Sequence, residues 1–141
     1  MTEIGALNQR FGVCWLFFGY TLALHVLDEA GHDFVTLFNL NVLAVRRSVP
    51  WLRVPTLTLQ DFIGILVLFL AVLLALTPLA FRGTKWVKGL AIPIAAVAGI
   101  LNGLLHILSS MYMRRMMPGV YSAPLIVLSG MLLLKEASRK S

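Results

Sequence analysis

Four long apolar runs, divided by short polar or basic stretches, set the plan of this chain. The first covers about residues 11–30, with Trp15, Phe17, Phe18 and Tyr20 as bulk and Arg10 at its boundary. The second, about 61–81, opens on Asp61 and then runs uncharged; the third covers about 90–113 and the fourth about 118–135. A helix needs about 20 apolar residues to cross the roughly 30 Å hydrocarbon layer, so each run predicts a spanning helix. Gly31 and Asp33 end the first run, and the following segment, about 34–45, mixes Phe34, Leu37, Phe38 and Leu40 with Asn39 and Asn41 before the basic pair Arg46-Arg47. It is too short to span and predicts an interfacial or re-entrant helix. Pro50 and Pro55, around Trp51 and Arg53, then predict an irregular connection at headgroup level. The expected fold is an all-α membrane protein: one domain over residues 1–141, a four-transmembrane-helix bundle with an added interfacial helix.

Composition agrees: 59% of residues are hydrophobic and only 13% charged, against about 25% charged in soluble domains. The net charge of +6 does not predict nucleic-acid binding, because the basic residues sit in short clusters between apolar runs, facing lipid headgroups. Seven of them (Arg10, Arg82, Lys85, Lys88, Lys135, Arg139, Lys140) flank one side, against five (Arg46, Arg47, Arg53, Arg114, Arg115) on the other, which predicts both termini in the cytoplasm. The first run has no small-residue cleavage signature after it and is expected to remain as a span. The single Cys14 excludes an intramolecular disulfide and a Cys-based zinc motif.

The candidate chemistry lies where the first run ends. His25, Asp28, Glu29 and His32 recur at helical spacing within roughly a 100° sector. Two carboxylates at a helix C-terminus oppose the macrodipole, which suggests a purpose. The third run holds Pro93, Gly99, Asn102, Gly103, His106, Ser109 and Ser110, the mark of an interior helix. One whole span separates the C-terminal ends of the first and third runs, so they share a membrane side, and Asn102 and His106 should face the acidic stripe. All three histidines then meet paired acids. Imidazole and carboxylate suit zinc or iron, with His25, Asp28, Glu29 and His106 as candidate metal ligands, Asn102 and His32 in support, and Asp28 or Glu29 as a candidate base. Plainer readings stand beside this one: His25 as structural hydrogen-bonding glue, His32 and Asp33 as a solvated helix end, Asp61 as a helix cap, the arginine pairs as topology anchors, and the methionines as packing.

The ordered set His25-x-x-Asp28-Glu29, Phe34, Asn39, Asn102-x-x-x-His106 and Pro118-Gly119-x-x-Ser122-Ala123 resembles the HXXEE-domain family of small bacterial integral membrane proteins. The resemblance covers about residues 15–130. Asp28 stands where the name motif has Glu, and Met117 where the family often has Tyr. The resemblance implies an inner-membrane location and a shared role for His25, Asp28, Glu29, Asn102 and His106, with a divalent metal suspected from the motif. The resulting expectation is a membrane-embedded metal-binding protein, as a metalloenzyme of hydrolase or oxidase/oxygenase type acting on a lipid or apolar substrate. A proton-linked transporter and a non-catalytic accessory protein are the alternatives. A homodimer through Gly99 and Gly103 of the third run is the expected self-partner.

Overall fold

A computed structural model describes residues 3–139; Lys140, counted above among the flanking basic residues, lies outside them. Those residues form helices and connections without strands. Helix α1 (Glu3–Gly31) leads through a short turn into α2 (Phe34–Ser48), and residues 49–58 return as an irregular strap to α3 (Leu59–Ala75). A bend at Leu76 joins α3 to α4 (Thr77–Phe81). Next come α5 (Lys85–Ile94), a π-helical segment (Ala95–Leu101) and α6 (Asn102–Met113), a continuous rod, and finally α7 (Ala123–Ala137).

Among the described residues, three helices are long and apolar enough to cross a membrane: Glu3–Gly31, Leu59–Phe81 and Lys85–Met113. The fourth apolar run divides instead into turns over 118–122 and the 15 residues of α7, about 22 Å at 1.5 Å per residue. Its helix starts late because Pro118 lacks an amide hydrogen and Gly119 takes a positive φ of 81°, a conformation that only glycine adopts freely.

The buried stripe of α1 sets the packing. Phe11, Trp15, Phe18, Leu22, His25 and Glu29 recur at steps of four and three, so one helix face is buried from Phe11 to Glu29 and only the last two of these are polar. That face meets α7, which runs antiparallel to it, while α3 and α4 cover another side of α1 and the α5–α6 rod packs along α7 and also reaches α1. Phe11, Trp15, Phe18 and Leu22 join Leu73, Ala80, Val87, Ala91, Ala95, Ile126 and Leu133 in one apolar core.

The π-helical segment is the local feature that aims α6. The rod buries Val87, Ala91, Ala95, Gly99, Gly103 and His106. In an α-helix a step of four overshoots a full turn by about 40°, so a stripe spaced at four drifts around the rod. The wider π turn after Pro93 holds more residues per turn and keeps that stripe facing α7. Close approach needs the glycines: a Cβ at Gly103 would lie 2.9 Å from the Ala123 carbonyl oxygen, and one at Gly99 would lie 3.1 Å from the Cα of Gly130. The G-x-x-x-G face, which the sequence offers for a homodimer, is therefore covered by the chain's own α7.

Outside this core, α2 buries only Val42 and extends past its expected end at residue 45 to Ser48. The strap holds it in place. The Asn39 amide donates to the Leu57 carbonyl at 2.8 Å and accepts from the Leu57 amide at 2.9 Å, and Arg46 Nε donates to the Val54 carbonyl at 2.8 Å.

Candidate metal centre

His25 and Glu29 sit one turn apart on the buried stripe of α1, and His106 reaches them from α6. Glu29 Oε1 lies 2.9 Å from His106 Nε2 and 3.6 Å from His25 Nε2. One ligand atom from each of these three side chains lies within 4.8 Å of the other two. All three residues are buried, His25 completely. The two imidazole rings meet edge to face with centroids 4.9 Å apart. Ligands bound tetrahedrally at 2.0–2.1 Å stand about 3.3 Å from one another, and the observed 2.9 and 3.6 Å separations bracket that value.

Hydrogen counting fixes the orientation of His25. Ser122 Oγ has one hydrogen, and Asp28 Oδ2, which also accepts from the Ser122 amide, lies 2.7 Å away, so the hydroxyl donates there. His25 Nδ1, 2.8 Å from the same hydroxyl oxygen, must then carry a hydrogen and donate to it. Nε2 is left with its lone pair, which accepts from the Asn102 amide at 3.0 Å. The result is a ring whose Nε2 carries no hydrogen and becomes a ligand atom if the Asn102 amide gives way, held by a Ser122–Asp28 relay of the kind that orients metal-binding histidines.

Gly119 forms the lid over both rings. A Cβ there would come within 2.9 Å of His106 Cε1 and 3.0 Å of His25 Cε1, and its φ of 81° disfavours any side chain. The turn between α6 and α7 thus supplies backbone, not side chain, against the site.

The sequence-predicted residues divide into two groups. His25, Glu29, His106 and Asn102 converge. Asp28 and His32 lie outside the convergence: Asp28 accepts from the Ser122 amide at 2.9 Å, and its Oδ1 is 3.0 Å from Nδ1 of the half-exposed His32. His32 also rests against the Tyr121 ring. Asp61 caps α3 in a reciprocal box with Thr58. The unusual pair of acids at the end of α1 is explained by the neighbouring helix, because Asp28 meets the N-terminal end of α7, where a negative charge is favourable. Ser122 and Gly119 carry no periodic signal, since both lie in a turn, and only their place in the family-like pattern marks them in the sequence.

A cleft of about 440 Å³ opens between α2 and α6, with His106 and Asn102 in its lining. Phe34 of α2 stands at its inner end, its ring 5.9 Å from that of His106 and 5.1 Å from that of Phe62. Comparison with family models, curated proteins and solved structures finds no match to this chain.

Proposed function

We propose that the protein is a membrane-embedded metalloprotein in which His25, Glu29 and His106 hold one divalent cation, zinc or iron. The observation that carries this reading is the buried Glu29 carboxylate, faced by an imidazole nitrogen from its own helix and by another from α6. An uncompensated carboxylate in that setting is costly. The partner nearest that carboxylate is His106 Nε2 at 2.9 Å, while the Asn102 amide occupies the His25 Nε2 lone pair. A single cation would replace both contacts and satisfy all three ligand atoms together. Two imidazoles and one carboxylate leave further coordination positions open, the arrangement found at catalytic rather than closed structural sites. Such an ion supplies Lewis-acid activation of water, or redox chemistry in the case of iron. The chain's own groups would then orient Nε2 through Ser122 and Asp28, exclude bulk water through Gly119 and Phe34, and admit substrate beside His106. The reaction is accordingly of hydrolase or oxidase/oxygenase type, on a lipid or apolar molecule.

The likeness of the His25–Asp28–Glu29 and Asn102–His106 pattern to the HXXEE-domain proteins supports the same reading. In this account α7 and its preceding turn serve as the fourth span of an inner-membrane bundle with both termini cytoplasmic. Elemental analysis of protein purified in detergent without added chelator tests the metal. Near-stoichiometric zinc or iron that disappears in His25→Ala and His106→Ala is the expected result; absence of metal after reconstitution with either ion would sink the proposal.

A further inference from the structure

Two crevices on the outer surface of the bundle share an apolar character but differ in where they lead. One, of about 230 Å³, lies between α1 and α3, and Leu22, Ala23, Val26, Ile63, Leu66 and Leu70 are among its all-apolar lining residues. The other is the α2–α6 cleft, about 440 Å³, within the roughly 300–1,000 Å³ range of pockets that enclose one small molecule. Its walls are apolar, with Phe34 and Phe38 on α2 and Leu105 and Met113 on α6, but its lining also includes Asn102, His106 and Ser109. Resting on the metal reading above for what happens at its inner end, we infer that this cleft binds a single-chain amphiphile taken from the bilayer, with an oxygen-bearing head at His106 and Asn102 and its alkyl chain between α2 and α6.

Three observations favour that occupant. The cleft borders the outward face of a helix apolar enough to span, where Leu101, Leu104, Leu105 and Leu108 are exposed, so what reaches it laterally is dissolved in lipid. Its polar members are the amides of Asn41 and Asn102, the His106 imidazole and the hydroxyls of Ser109 and Tyr112, groups that hydrogen-bond a carboxyl or ester oxygen. Its α2 wall is tied to the strap by the Asn39–Leu57 and Arg46–Val54 bonds, and it meets α6 through the Phe34 ring against His106. The gap is thus a built feature of the α2 hairpin, and a Phe34 ring narrows its inner end. The α1–α3 crevice, with no such polar end, is the control for ordinary lipid contact.

The test is photolabelling of the full chain in nanodiscs with palmitic acid carrying a mid-chain diazirine, with adducts mapped by mass spectrometry. Adducts should concentrate on α2 and α6, saturate, and be competed by unlabelled palmitate, while those in the α1–α3 crevice stay proportional to probe. Leu105→Trp, a substitution at a half-exposed position, should cut cleft labelling about tenfold while metal content stays unchanged. Unsaturable labelling of equal density at both crevices overturns the inference, as does capture of a second copy of the chain at α6 in place of the probe. Metal content measured on the same samples separates the two readings. Bound metal with only bulk labelling defeats the cleft alone; saturable labelling in a protein that never takes up metal defeats the metal centre and leaves the cleft as a binding site.

Discussion

Within α1, the longer part of the buried stripe, Phe11 to Leu22, and its last turn, His25 to Glu29, pack on the same face but use polar atoms in different ways. In the part through Leu22 polar groups close on one another or on backbone. The Trp15 indole donates to the Leu73 carbonyl at 2.8 Å beside the α3–α4 bend, and the Thr21 and Ser129 hydroxyls meet at 2.6 Å between α1 and α7. Among the described residues, Asn8 Oδ1 is the one buried side-chain polar atom without a partner, at the far end from the site. Toward the C-terminus the paired groups converge instead: the Glu29 carboxylate, which meets His106 Nε2 at 2.9 Å, and His25 Nε2, which accepts from Asn102 at 3.0 Å, lie within 4.8 Å of one another, with a relay behind His25 that fixes its direction. The lesson is that burial of polar groups alone does not identify a site; convergence of acceptor atoms with external support does.

The comparison breaks or sharpens under four substitutions. The largest effect is expected from Glu29→Gln, which removes the charge between the two rings and should weaken metal retention by well over about 100-fold, beyond the roughly 10–100-fold seen for supporting residues. Competition against a chromophoric chelator in detergent measures it, and unchanged retention would place Glu29 with the structural polar groups. Next, Ser122→Ala should cost about 10–100-fold in metal affinity and release His25 from the Nδ1–H tautomer, visible in ring-nitrogen NMR shifts, whereas Ser122→Thr, which keeps the hydroxyl, should restore the tautomer. If Ser122→Ala lowered stability with affinity and tautomer intact, the relay would be glue like Thr21–Ser129.

Gly103→Val tests what the two parts share, the backbone approach of α6 to α7. A Cβ there already comes within 3.0 Å of Ile126 Cγ2 and 2.9 Å of the Ala123 carbonyl, so a destabilisation of about 1–3 kcal/mol is expected in a denaturation series. Wild-type stability would mean that α6 is free to shift away. The smallest effect is expected from Thr21→Val, about 0.6 kcal/mol in the same assay with metal affinity unchanged. A large loss of metal on that substitution would erase the distinction between the two parts.

How far the sequence revealed this arrangement depended on whether a signal was periodic. The buried stripe of α1 follows helical spacing, so His25 and Glu29 stood out as polar residues in core positions, and the even-odd logic of spans brought His106 and Asn102 to the same end. Asp28 shares that helix face nearly as well, yet it turns to α7, because its partner is the part-buried amide of a helix terminus that no periodicity locates. The strap over 49–58 was foreseen as irregular, but its pairing with Asn39 was not, since a side-chain amide bonding a backbone carbonyl and amide leaves no sequence pattern. The π turn was hidden for the same reason: Pro93 marks a lost hydrogen bond without saying how the helix absorbs it. Helix α7 begins at Ala123 rather than at the expected boundary near 118, because Pro118 and Gly119 make the turn that leads into the apolar run.

The central claim is that two helices bring three side chains to one ion, and X-ray absorption at the metal edge of purified, metal-reconstituted protein tests it most directly. The account predicts a first shell of nitrogen and oxygen at about 2.0–2.2 Å with the outer-shell scattering of two imidazoles, reduced to one in His106→Ala. A shell of oxygen alone, or one unchanged by His106→Ala, would contradict it.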